Sequence, residues 1–114
     1  MEQITHRFPD IIGGEYAGCW ELVQRLYADC FSIFLPDREY AVDDLDSWVK
    51  IETGQQRYGD VLVFREQIGK HVGFCLDKRR MLHTTRLKNN VIERYQSILW
   101  LDRLQSIYRH KILL

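Results

Sequence analysis

Proline and glycine are scarce, at two and seven residues in a chain of 114. Their scarcity excludes collagen-like repeats, Pro-rich linkers and other low-complexity segments, and 46% hydrophobic residues are enough for an ordinary globular core. Cysteine is also sparse. Cys19, Cys30 and Cys75 form an odd set with no CxxC pair, which argues against a disulfide framework or a zinc knuckle and leaves free thiols. An excess of either charge is missing too: 16 basic and 16 acidic residues cancel, so nothing predicts a general affinity for nucleic acid or anionic lipid. No apolar run approaches the roughly 18 residues of a membrane span, and the opening MEQITHRFPD lacks the basic-then-apolar profile of a secretory leader. The expectation is one domain, residues 1–114, made and folded in the cytoplasm.

What the chain does contain is a change of period near its middle. From Cys19 the apolar positions Cys19, Leu22, Val23, Leu26, Tyr27 and Cys30 follow the spacing of one buried helix face, with Glu21, Gln24, Arg25 and Asp29 on the other. Gly13, Gly14 and Gly18 precede this helix and permit a tight approach, so Cys19 belongs at or beside its first turn. The helix must end before Pro36. A second helix is expected from Asp43 or Asp44, with Leu45, Trp48 and Val49 facing inward and Gly54 as its stop. On that reading the clustered Asp43, Asp44 and Asp46 mark a helix N-terminus rather than a general-acid pair. After Gly59, VLVF (Val61 to Phe64), HVGFCL (His71 to Leu76) and MLHTT (Met81 to Thr85) read as consecutive antiparallel strands separated by turn-forming segments. The tail reads as a short helix around Trp100 to Leu104 and a last strand near Ile107 to Arg109. The expected class is α+β, with N-terminal helices packed on a small antiparallel sheet.

A thiol at a helix N-terminus faces the positive end of the macrodipole and unpaired N–H groups, both of which favour thiolate. Cys19 is so placed. Such a nucleophile needs a base and a group to orient that base. His71 opens one expected strand and His83 lies in the next, twelve residues on, so antiparallel pairing could set the two imidazoles side by side. The alternative for each is structural: Cys19 as part of the apolar stripe, the histidines as partly buried polar residues with one partner each. Cys30 and Cys75 read as packing residues, and His6 and His110, near the termini, get no role. A metal site is not expected, because His71 and His83 have no convincing third and fourth ligands, although Cys75 lies between them.

Three blocks of sequence resemble the NlpC-type papain-like cysteine peptidases of cell-wall peptides, especially the short forms of phage tail gene clusters: GGEYAGCWELVQRLY with LPD at Leu35 to Asp37, GDVLVFR at Gly59 to Arg65, and KHVGFCLDKRRMLHT from Lys70. The resemblance spans roughly residues 9 to 95 and implies the papain-like fold, with Cys19 as nucleophile, His71 as general base and then acid, and His83 as the residue orienting His71. It also implies hydrolysis of amide bonds in peptidoglycan stem peptides without a cofactor. Partners implied are those stem peptides and phage tail tip or baseplate proteins, with the chain carried in a virion tail to the bacterial wall. A structural tail component that keeps the fold with little activity is the other expectation. Two departures bear on substrate choice. The usual Asp-Cys-Ser-Gly is here Gly18-Cys19-Trp20-Glu21, a Cys-Trp context shared with phage-type members, and Ile11 and Ile12 stand where a tyrosine is often found.

Overall fold

The computed structural model describes residues 11, 18–37, 46–66, 69–86 and 88–114. One helix, α1 (Cys19–Phe31), packs on a six-stranded antiparallel sheet of β1 (Trp48–Ile51), β2 (Val61–Arg65), β3 (Lys70–Cys75), β4 (Arg80–Thr85), β5 (Asn89–Arg94) and β6 (Leu104–His110). A short helix, α2 (Ile98–Leu101), precedes β6. The strand order is β1-β6-β2-β3-β4-β5, so the tail strand is inserted between β1 and β2. The α+β class and the three expected strands are observed. Among the described residues no helix is long and apolar enough to cross a membrane.

The apolar stripe of α1 buries Trp20, Leu22, Val23, Leu26 and Tyr27. At its end Ser32 takes a left-handed conformation, and the N–H groups of Ser32 and Ile33 turn back to the carbonyls of Ala28 and Tyr27, satisfying acceptors the helix leaves open. The following segment is tied down by side chains of the helix. Trp20 Nε1 donates to the Pro36 carbonyl at 3.1 Å, and Gln24 Nε2 donates to the same carbonyl at 2.9 Å and to Asp37 Oδ1 at 3.1 Å.

Pleating divides the apolar residues of the strands between two cores. Val61, Val63, Val72, Phe74 and Leu82 join the side chains of α1, whereas Leu62, Phe64, Cys75 and Met81 pack with Tyr95, Trp100 and Ile107 on the opposite face. The continuous run VLVF follows from this, since β2 is buried on both faces. At the head of β2 the fully buried Asp60 receives two parallel bonds from Arg109 of β6, Nε to Oδ1 at 2.8 Å and Nη2 to Oδ2 at 2.8 Å. Arg57 N–H adds a third at 2.9 Å, so the carboxylate is fully paired.

The expected second helix is corrected. Asp43, Asp44 and Leu45 lie outside the described residues, but Trp48 and Val49 stand in β1, paired with His110 and Arg109 of β6. Four residues with one large buried side chain satisfy a helical or an extended period equally well, and the ladder offered by β6 decides between them. Trp48 packs edge-on against His110 and tilted against Tyr27. Gly54, at φ +100°, therefore serves a turn after a strand, not a helix stop. Strand β5 has no counterpart in the sequence reading.

Candidate active site

Cys19 is the first residue of α1, within the first turn where the preceding glycines led it to be expected, and Gly18 caps the helix without a side chain. Gly18 has φ +122° and ψ 145°, a conformation open essentially to glycine alone. A Cβ built there would meet Glu21 Oε2 at 2.1 Å. The space a side chain before the cysteine would need is thus filled by an acidic group from the first turn, which also faces the positive end of the helix dipole. The Cys19 side chain is half-buried against the helix-side core, and α1 packs across β3 and β4, the strands that carry the two histidines.

His71 and His83 are brought into direct contact. Their strands pair through Phe74 with Leu82 and Cys75 with Met81, and extending that register places Gly73 opposite His83 and His71 diagonally beside it. A Cβ on Gly73 would lie 2.7 Å from Met81 Sδ and 3.6 Å from the His83 Cβ, so glycine keeps this crowded strip open. His71 Nε2 and His83 Nδ1 are 2.7 Å apart, a full hydrogen bond. On the far side His83 Nε2 meets Glu93 Oε1 at 2.8 Å, and Lys88 Nζ holds the other carboxylate oxygen at 2.9 Å. The remaining nitrogen of His71, Nδ1, lies 3.6 Å from Glu66 Oε1, beyond hydrogen-bonding range.

Trp100 of α2 closes the second face. Its indole stacks on His71 at 5.3 Å and 28° and stands edge-on to His83 at 5.1 Å, while the Arg103 guanidinium covers it at 4.7 Å. Both imidazoles are buried, 5% and 1% exposed. Burial pushes His71 down to about 4, aided by His83 and the Arg103 charge and opposed by Glu93. Burial also lowers His83, against the pull of its Glu93 partner. Burial works to raise the Glu93 carboxyl, but the hydrogen bonds from Lys88 and His83 outweigh it and hold the group below its usual range. Two neutral imidazoles backed by a carboxylate are the state of the site at neutral pH.

The other cysteines have other surroundings. Cys75 is fully buried, its Sγ 3.1 Å from the Asp77 carbonyl, and burial pushes its thiol up to about 12. Cys30 is half-buried and receives the Tyr58 hydroxyl at 3.7 Å. His110 packs against Trp48 and accepts from Ile112 N–H through Nδ1. Among the described residues no three His, Cys, Asp or Glu side chains are placed to hold a metal ion. Glu93 and the stacking role of Trp100 are absent from the sequence reading: Glu93 lies ten residues beyond His83 on a strand whose pairing alone couples them.

Comparison with known proteins bears on this arrangement in three ways. No curated protein matches the chain. A solved structure from Staphylococcus aureus, described as similar to lipoprotein, NLP/P60 family, superposes with a TM-score of 0.74 at 22% identity, covering 94% of this chain and 40% of that one. This chain thus spans about two fifths of that protein's length, and the likeness concerns the fold. The family model for NlpC/P60 matches residues 12–109, a span that holds α1 with Cys19, the strands bearing His71 and His83, and all but the end of β6. The chain belongs to the NlpC/P60 family.

Proposed function

We propose that this chain is a cysteine peptidase that hydrolyses amide bonds in peptidoglycan stem peptides, with Cys19 as nucleophile, His71 as base and then acid, and His83 orienting His71. The observation that carries the reading is the buried 2.7 Å contact between His71 Nε2 and His83 Nδ1 in a member of the NlpC/P60 family. A neutral imidazole can accept a proton, and His71, lowered to about 4 by burial, is neutral at pH 7. His71 Nδ1 takes the Cys19 proton and the thiolate attacks the amide carbonyl. The backbone N–H of Cys19, at the first turn of α1, supports the developing oxyanion. The protonated His71 then returns its proton to the leaving amine, and water hydrolyses the thioester to release the acyl half.

Delivery in a phage tail, with tail tip or baseplate proteins as partners, is proposed on the Gly18-Cys19-Trp20 context alone. The chain is then synthesised in the host cytoplasm and acts at the wall from the virion. Mass spectrometry of purified peptidoglycan incubated with the protein tests the activity. New amine and carboxyl ends in the stem peptides, intact glycan, and loss of cleavage in Cys19→Ala are expected. A wild type as inert as Cys19→Ala on walls of the proper host would favour the structural tail component instead, and glycan cleavage would sink the thiol mechanism.

A further inference from the structure

We propose that Glu93 is a positioning residue that sets the proton arrangement of the histidine pair, so that the one free imidazole lone pair is left on His71 Nδ1. The consequence for catalysis rests on the peptidase reading; the arrangement itself rests on three contacts. An ionised carboxylate only accepts hydrogen bonds. Glu93 Oε1 lies 2.8 Å from His83 Nε2, so that nitrogen must carry a hydrogen. A neutral imidazole has one donor and one acceptor, and His83 Nδ1 is therefore a lone pair. The 2.7 Å contact with His71 Nε2 then needs a hydrogen on His71. Neutral His71 is left with its lone pair on Nδ1, the edge turned away from His83 and toward Glu66. The reverse assignment aims two acceptors at each other across 2.8 Å and uses up the His71 lone pair on His83, leaving no base.

The sheet explains why Glu93 can do this. In the β4–β5 register His83 pairs with Val91, and Glu93, two residues on, shares its face as a diagonal neighbour. Lys88, in the turn before β5, holds Oε2 at 2.9 Å and so keeps the carboxylate aimed.

The test reads tautomers directly, by long-range ¹H–¹⁵N correlation on ¹⁵N-histidine-labelled protein at pH 7. The wild type should show Nε2–H on both His71 and His83. In Glu93→Gln the single amide oxygen is claimed by Lys88, the NH₂ faces His83, and both rings should switch to Nδ1–H. kcat on a stem peptide should then fall roughly a hundredfold with KM little changed, the cost of a mis-set tautomer behind a base. Glu93→Asp, which keeps an acceptor, should retain the wild-type tautomers. Glu93→Gln combined with Lys88→Met frees the amide to turn and should restore Nε2–H and most of kcat. Wild-type tautomers in Glu93→Gln, or a loss of kcat without a tautomer change, would overturn the proposal. The spectra need no substrate, so the two readings fail separately. Switched tautomers in a protein that cuts no stem peptide sustain this one against the peptidase reading, and unswitched tautomers in an active enzyme do the opposite.

Discussion

Gly18 carries more constraint than its lack of a side chain suggests. Its φ of +122° falls where an L-residue is strained, and the Glu21 carboxylate already fills the space of a Cβ. Gly18→Ala should cost about 1–3 kcal/mol. Urea titration checks this, and an unchanged midpoint would mean that the helix start relaxes freely. The three thiols differ in the same local way. Cys19 opens a helix, Cys30 is half-buried beside Tyr58, and Cys75 is fully enclosed with its thiol pushed up to about 12. Iodoacetamide on the folded protein should label Cys19 first and Cys75 last, as peptide mapping over time would show. Equal rates at Cys30 and Cys19 would remove the case for a single activated thiol.

Among elements, the tie between β2 and β6 is the most exposed to a single change. Asp60 is wholly buried and its two oxygens are paired with Arg109, which also donates to the Gln55 carbonyl at 3.0 Å. Removing one partner leaves a buried charge uncompensated. Asp60→Ala should therefore destabilise by roughly 3–5 kcal/mol, and Asp60→Ala with Arg109→Met by less, since the pair also carries a desolvation cost. Thermal or urea unfolding of the two variants distinguishes these; equal losses would show that the carboxylate matters for its other bond, to Arg57, more than for the ion pair. Strand β6 also shows how pairing overrides local pattern, because it converts Trp48 and Val49 from an expected helix into an edge strand.

For the whole molecule, pH couples the site to stability. His71 has its folded value lowered from 6.5 to about 4, and His83 and His110 are lowered by burial as well. The folded state therefore binds fewer protons than the unfolded chain below about pH 6.5. Stability from these groups is complete above that value and is lost as pH falls toward about 4, with His71 contributing at most about 3 kcal/mol. Asp77 and Glu93, also lowered, add to the loss only at lower pH, in the carboxylate range. Urea midpoints between pH 7.5 and 4.5 should fall, and His71→Gln should flatten that slope. An identical slope in the variant would place the His71 ring in water. The same lowered value sets the acid limb of kcat/KM on stem peptide near pH 4 rather than 6.5.

Local sequence determined α1, because one apolar face every three to four residues has a single helical solution, and the glycine before Cys19 put that residue at or beside its first turn. It also determined β2, β3 and β4, whose apolar runs are bounded by turns, and hence put His71 and His83 on neighbouring strands. The short helix and last strand of the tail were legible too, though their limits moved to Ile98–Leu101 and Leu104–His110. Tertiary structure decided the rest. A four-residue segment such as Trp48–Ile51 carries too few positions to distinguish periods, and only the unpaired edge of β6 made it a strand. In Asn89–Arg94 polar and charged residues hide the alternation, so β5 exists by virtue of β4. Glu93 and Trp100 reach the histidines through a register and a chain return that no local spacing encodes, since side chains ten to thirty residues apart meet only once the sheet has closed.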